Sequence, residues 1–217
     1  MRSETGDRLR GVRRLCLLSV ILAGGLAGQP KAGEWQSLFD GKSLGEWKET
    51  GFPRKGPVKV EGGEMVLGAG APLTGVTWGG AFPKMNYEIR FEGTRRAGGD
   101  FFASLTFPVG ESFATLVTGG WGGDIVGVSS LDGWDAADNE TRNYFTFETG
   151  KWYAIRLEVT PGRIRAWIGE ERVVDLAIQG REIGLRRGDI GLSSPLGFAS
   201  YNTTGAVRGV AYRVLPR

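Results

Sequence analysis

Trp152-Tyr153-Ala154-Ile155-Arg156-Leu157-Glu158-Val159-Thr160 is the stretch that decides the fold. Tyr153, Ile155, Leu157 and Val159 alternate with Ala154, Arg156, Glu158 and Thr160, and period two over this length is a strand with one face buried and one wet. Pro161-Gly162 supplies a turn, after which Arg163 to Ile168 alternates again, with Ile164, Ala166 and Ile168 against Arg163, Arg165 and Trp167. Gly169-Glu170 makes a second turn into Arg172–Leu176. Strands joined by tight turns form an antiparallel meander, whose apolar side needs a second layer to cover it.

Outward from the meander the same pattern recurs. Asn86–Phe91 sets Tyr87, Ile89 and Phe91 against Asn86, Glu88 and Arg90. Phe101–Phe107 sets Phe101, Ala103, Leu105 and Phe107 against Phe102, Ser104 and Thr106. Further strands are predicted over Ser112–Thr118, Asp124–Ser129, Asn143–Phe147, Asp189–Ser193 and Phe198–Asn202. A last strand over Gly205–Leu215 is expected to pair near the N-terminus. The 37 glycines fall in short clusters between these runs, as turn punctuation does. Only Asp132–Glu140 has room for a helical turn. The pattern predicts an all-β chain, a two-sheet antiparallel sandwich or jelly roll, in one domain over residues 28–217.

Residues 1–27 read as a leader rather than as part of that domain. Arg8, Arg10, Arg13 and Arg14 precede the apolar run Leu15–Leu22, and the small residues Ala23, Gly24, Gly25 and Ala27 follow it. That order is a signal peptide with cleavage expected after Ala27, the alternative being a retained N-terminal anchor. The protein is thus expected to be secreted or periplasmic, with no membrane span in the mature chain. Residues 1–27 hold five arginines and two acids, so the rest of the chain carries 22 basic and 22 acidic residues. Formal neutrality removes the clustered positive field that nucleic-acid binding needs. Cys16, the sole cysteine, leaves with the leader, so neither a disulfide nor a thiolate is available to the domain. The chain contains no histidine. Imidazole bases, Ser-His-Asp triads and imidazole zinc sites are excluded, and any metal must be held by oxygen, which favours calcium or another hard divalent cation.

Both ends and the middle of the domain carry longer words. The opening Glu34-Trp35-Gln36-Ser37-Leu38-Phe39-Asp40-Gly41-Lys42-Ser43-Leu44-Gly45-Glu46-Trp47 resembles the start of the 3-keto-disaccharide hydrolase-like domains. Gly150-Lys151-Trp152-Tyr153 with Arg163-Ile164-Arg165-Ala166-Trp167-Ile168 is similar to the meander of that family, and Gly188-Asp189-Ile190-Gly191-Leu192 with a strand at Val207–Val214 is similar to its close. The resemblance implies a concanavalin A-like jelly roll, exported, and associated with cleavage of glycosides oxidised at C3. Family members thought to be catalytic commonly carry histidine and acids near a metal. This chain departs from them in having no histidine.

A jelly roll leaves a hollow on one sheet where aromatic rings stack on sugar C–H faces and planar polar groups fix the hydroxyls. Trp167 and Glu88 have the outward parity for such a face, and Trp78, Trp121 and Trp134 sit in glycine-flanked segments suited to its rim. The polar, irregular run from Trp121 to Arg142 places Asp132, Asp135 and Asp138 at every third residue, a spacing that a bound cation or plain solvent would tolerate. Without histidine, two routes to glycoside cleavage remain: a pair of carboxylates, or proton abstraction beside a C3 ketone by one base with a cation steadying the oxyanion. Asp124 or Asp132 with Arg90 or Arg142 are the candidates for base and cation. The resulting reading is a carbohydrate-active hydrolase acting on an oligosaccharide or glycoside. The alternative is a non-catalytic, lectin-like glycan-binding sandwich, and a structural or adhesive surface module ranks third.

Overall fold

The computed structural model describes residues 32–216, so the leader read over residues 1–27 lies outside the described residues, and Cys16 with it. Two antiparallel sheets stack face to face. In chain-order numbering, one sheet holds β1 (Gln36–Ser37), β3 (Val58–Glu61), β4 (Glu64–Leu67), β6 (Tyr87–Ala97), β11 (Tyr153–Val159), β12 (Arg163–Ile168), β13 (Glu171–Ala177) and β15 (Thr204–Val214). Its order is β13-β12-β11-β6-β15-β4-β3, with β1 alongside β15. The other holds β2 (Trp47–Glu49), β5 (Leu73–Trp78), β7 (Ser104–Val109), β8 (Ser112–Gly120), β9 (Ile125–Ser129), β10 (Asn143–Tyr144) and β14 (Gly197–Tyr201), in the order β10-β9-β8-β7-β14-β5-β2. Among the described residues no helix is long and apolar enough to cross a membrane.

The meander forms one end of the eight-stranded sheet, with β13 at the edge, and keeps its alternation there. Ile155, Leu157, Val159, Ile164 and Ala166 are buried against the other layer, while Arg156, Glu158, Arg165 and Trp167 face away from it. β6 pairs β11 with Ile155 opposite Phe91 and Leu157 opposite Ile89, so the inward sets of neighbouring strands coincide. Phe198 on β14 meets Phe91 across the sandwich at 4.8 Å between ring centroids and Trp47 within its own sheet at 5.4 Å. Tyr87 donates its hydroxyl across the layers to the Pro108 carbonyl at 2.7 Å, and complete burial pushes its phenol well above the usual tyrosine range. β15 closes the chain against β1, Gln36 opposite Tyr212, as the sequence leads one to expect.

The opening word has a structural explanation. Leu38 and Phe39 enter the core, the Asp40 carboxylate accepts the N–H groups of Lys42 and Ser43 at 2.8 and 3.0 Å, and Trp47 returns its indole N–H to the Leu38 carbonyl at 2.8 Å. The two backbone donors at Ser43 and Lys42 hold the Asp40 carboxyl below the ordinary aspartate range.

The structure departs from the sequence reading in four places. Asp189–Ser193 is a 3₁₀ turn and not a strand, because it crosses over the seven-stranded sheet and has no neighbour to pair with. The alternation over Phe101–Phe107 breaks at a bend before Ser104, which resets the parity: Phe102 enters the core and Phe101 stays outside it. The strand predicted over Asn143–Phe147 pairs only at Asn143–Tyr144, while Asp132–Glu140 holds the expected single helical turn, closed by the Asn139 N–H on the Asp135 carbonyl at 3.1 Å. β2, β3, β4 and β5 are short strands between closely spaced turns, too brief for periodicity to reveal.

Candidate functional site

The connection 178–196 leaves the eight-stranded sheet after β13 and returns in the seven-stranded sheet at β14. Along the way it lies across that sheet's outer face as a strap. Ser130 and Gly184 exchange backbone hydrogen bonds at 2.7 and 3.1 Å, Asp132 donates its N–H to the Glu182 carbonyl at 2.8 Å, and Thr77 on β5 donates its hydroxyl to the Leu192 carbonyl at 3.2 Å. The Asp132 carboxylate fastens the same point from the side chain, accepting the Glu182 N–H at 2.8 Å and Arg181 Nε at 2.7 Å. Those two donors, the Glu182 N–H first, hold the Asp132 carboxyl below the ordinary range. Arg181 also binds Glu140 at 2.7 Å, and Glu140 and Asp132 together raise the guanidinium's pKa.

Beside the strap lies a cleft of about 370 Å³. Its floor is Thr115 and Val117 of β8 with Ser129 of β9. Phe101 and Tyr201 form one wall, their rings 5.6 Å apart, and Trp121 stands on another, 38% exposed in the turn after β8. The strap contributes Arg186, Arg187 and Asp189, and the turn after β6 contributes Asp100. Asp100 is set by its neighbours: its Oδ1 accepts the Phe101 N–H at 2.7 Å, and its own N–H donates to the Thr203 hydroxyl at 3.0 Å. The Arg186 guanidinium lies 5.8 Å from the Trp121 ring centroid and 3.3 Å from Asp135, whereas Arg187 has no carboxylate partner among the described residues. Beyond the two arginines a second hollow of about 530 Å³ opens beside Asp135 and Glu182.

The cleft therefore gathers aromatic rings, two carboxylates and two guanidiniums on one sheet face, the equipment for holding a sugar. Of the residues singled out in the sequence, Trp121 lines it and Asp135 lines the hollow next to it. Asp124 is exposed in the turn just before β9, outside the cleft lining. Asp132 is a fastener of the strap, and Arg142 donates to the Ala137 carbonyl at 3.0 Å from an exposed position. Trp78 packs edge-on against Trp47 at 5.2 Å, and Trp134 is 62% exposed on a turn. Glu88, Arg90 and Trp167 face outward as their parity predicts, but on the eight-stranded sheet, away from the cleft. Asp132 is matched to Arg181 and Asp135 to Arg186, and among the described residues no group of three or more potential ligands converges.

Asp100, Phe101, Arg186, Arg187, Asp189 and Tyr201 were missed. Gly98-Gly99-Asp100 and Arg186-Arg187-Gly188-Asp189 carry the same glycine-and-charge signal as the Trp121–Arg142 run, and that signal was the one available clue.

Two packed antiparallel sheets with a cleft on one outer face define a concanavalin A-like jelly-roll sandwich. The family profile of the 3-keto-alpha-glucoside-1,2-lyase-like domain matches residues 34–204, and the chain belongs to that family. Comparison with curated proteins finds no match. Among solved structures, the chain is similar to the carbohydrate-binding module CBM66 from Bacillus subtilis, at 12% identity over 77% of this chain and 95% of that one, TM-score 0.53. It is similar to Crh5 transglycosylase in complex with NAG, at 12% identity over 87% and 88%, TM-score 0.55. A third structure comes from work on endo-acting O-glycanases with which prominent members of the human gut microbiota initiate mucin breakdown, at 14% identity over 86% and 100%, TM-score 0.56. Likeness at these identities shows the fold alone.

Proposed function

We propose that the cleft takes a glycoside oxidised at C3 and cleaves it by elimination outside the cytoplasm. The observation that carries this reading is the meeting of Asp100, Arg187, Trp121 and Tyr201 around one cleft. A C3 ketone acidifies the C2 proton, so one carboxylate suffices as base and no imidazole is required. In this scheme Asp100 removes the C2 proton and the electron pair moves into an enediolate across C2 and C3. The Arg187 guanidinium steadies the oxyanion on C3. Collapse re-forms the ketone, makes the C1–C2 double bond and breaks the C1–O bond, and the leaving alkoxide takes the proton back from Asp100. No water or redox partner is consumed. Trp121 and Tyr201 hold the ring by its C–H faces.

The test is incubation with a 3-keto-glucoside and with its parent glucoside. Turnover of the keto compound alone is expected, with kcat/KM lowered roughly a hundredfold or more in Asp100→Asn. Arg187→Gln is expected to lower kcat more than it changes KM, since it acts on charge that develops only in the transition state. Equal turnover of both sugars, or an unaffected Asp100→Asn, overturns the mechanism. The absence of histidine favours a second reading, glycan binding without turnover. It predicts no product, and glycan retention lost in Trp121→Ala. Export is tested by N-terminal sequencing of the protein recovered outside the cytoplasm, with Gly28 expected as its first residue.

A further inference from the structure

The outer face of the eight-stranded sheet is built quite differently from the cleft. β6, β11, β12, β13 and β15 carry nine arginines, of which Arg95 alone turns into the sandwich. Against the eight that remain stand five acids, Glu88, Glu92, Glu158, Glu171 and Asp175, and no lysine. β3 and β4 of the same sheet add Lys59, Glu61 and Glu64, so the face holds an excess of two positive charges in a chain whose residues 28–217 are formally neutral.

On the central and meander strands the carboxylates Glu88, Glu158 and Asp175 are seated lower than the arginines they bind, whereas Glu92 beside Arg208 and Glu61 beside Arg96 are not. Glu88 is 2% exposed at its side chain and is held by Arg156 and Arg213, which are 41% and 35% exposed. Asp175, at 26%, is shared by Arg163, Arg165 and Arg172, at 40%, 35% and 53%. Around Glu88 and Asp175, what solvent meets is thus a layer of guanidinium edges over sunken acids. The tryptophans support that layer from below or beside it. Arg156 lies 3.6 Å over Trp167, Arg208 4.1 Å over Trp152, and Arg90 and Arg213 lie 4.1 and 4.8 Å from the ring of Trp35. Arg90 has no carboxylate partner among the described residues. Stacking and pairing fix the planar forks in place, and guanidinium donors left over from such pairs suit carboxylate or sulfate oxygens.

We infer that this face is a docking surface for an acidic polysaccharide, one bearing uronate carboxylates or sulfates, distinct from the glycoside cleft. Charge complementarity selects a polyanion. A bilayer is disfavoured because no apolar wedge projects here among the described residues: their exposed large hydrophobic residues, Trp121, Trp134, Tyr144, Leu192 and Tyr201, all lie elsewhere. Single-stranded nucleic acid is disfavoured because the tryptophan rings are already covered by guanidiniums and offer no free platform for bases.

The test uses retention and equilibrium binding of the mature chain on polygalacturonate, heparin and neutral dextran across a salt gradient. Binding to either acidic polymer or to both, weakening steeply with salt, is expected, and the stronger of the two identifies the anion. Neutral dextran is expected not to bind. Arg163→Gln/Arg172→Gln should lower the affinity about tenfold at low salt. The same loss of charge elsewhere, in Lys42→Gln/Lys84→Gln, should leave it unchanged, and Arg163→Lys/Arg172→Lys should restore most of it. The inference is overturned if neither acidic polymer binds, if the lysine control loses as much affinity as the arginine variant, or if DNA or phosphatidylserine vesicles bind more tightly. Turnover of a small 3-keto-glucoside is expected to be the same in Arg163→Gln/Arg172→Gln as in the parent, while Asp100→Asn keeps polyanion binding. The two readings can therefore fail separately.

Discussion

Arg95 shows how a single residue can bind both the fold and the site. It is 8% exposed and has no carboxylate partner among the described residues; Nη1 donates to the Gly123 carbonyl at 3.1 Å and Nη2 to the Phe147 carbonyl at 2.7 Å, with the guanidinium 5.7 Å from the Phe102 ring. Nε is buried without a partner among the described residues, so this cation is tolerable only while the planar fork spans both carbonyls. The first of those carbonyls belongs to the turn that carries Trp121, so the clamp sets one wall of the cleft. Gly123 has φ +112, and a Cβ on it would stand 2.7 Å from Arg95 Nη1, which reserves the position for glycine. Arg95→Met leaves two buried carbonyls without donors and is expected to destabilise the fold by about 2–4 kcal/mol in urea denaturation. Arg95→Lys, which reaches one carbonyl, is expected to recover part of the loss. None of this was legible in the sequence, where Arg95 and Arg96 look alike; only the tertiary contacts separate the buried arginine from the exposed one that pairs with Glu61 and Glu64.

The strap is the element on which the cleft depends. Its fastening at Asp132 joins residues fifty positions apart. The folded carboxyl titrates below its unfolded value, so its contribution is complete above the unfolded pKa and is lost as pH falls through the folded one. Protection of the Glu182 amide from hydrogen exchange is expected to fall in that acid window in the parent chain. In Asp132→Ala protection should be low already at neutral pH and show no such step. Asp132→Asn keeps an acceptor for the Glu182 N–H and should lie between the two. The element level is also where sequence reading was strongest and weakest. The meander was legible because seven or more residues of strict alternation have only one explanation. The strap was not: its one predicted strand, Asp189–Ser193, is apolar enough to resemble a strand but packs a 3₁₀ turn on the sheet instead of extending it.

At the scale of the whole molecule, packing between the layers supplies the stability, since no cysteine lies among residues 28–217. Phe198 sits at the centre, fully buried between Phe91 of the opposite sheet and Trp47 of its own. Phe198→Ala is expected to lose roughly 3–5 kcal/mol, measured as a shift in the denaturation midpoint without change of slope. Sequence alone determined that the chain is all-β, which side chains of its long strands point into the sandwich, and that no imidazole chemistry is open to it, because alternation and composition are local or additive properties. Glu88, Arg90 and Trp167 mark the boundary of that knowledge. Their outward direction followed from period two, but a two-layer protein has two outer faces, and strand parity does not distinguish them. Only the tertiary structure decided that the strap crosses the seven-stranded sheet and makes a cleft there, while the other face stays open and collects the arginines. That choice depends on hydrogen bonds and ion pairs between distant residues, which no window of neighbouring residues contains.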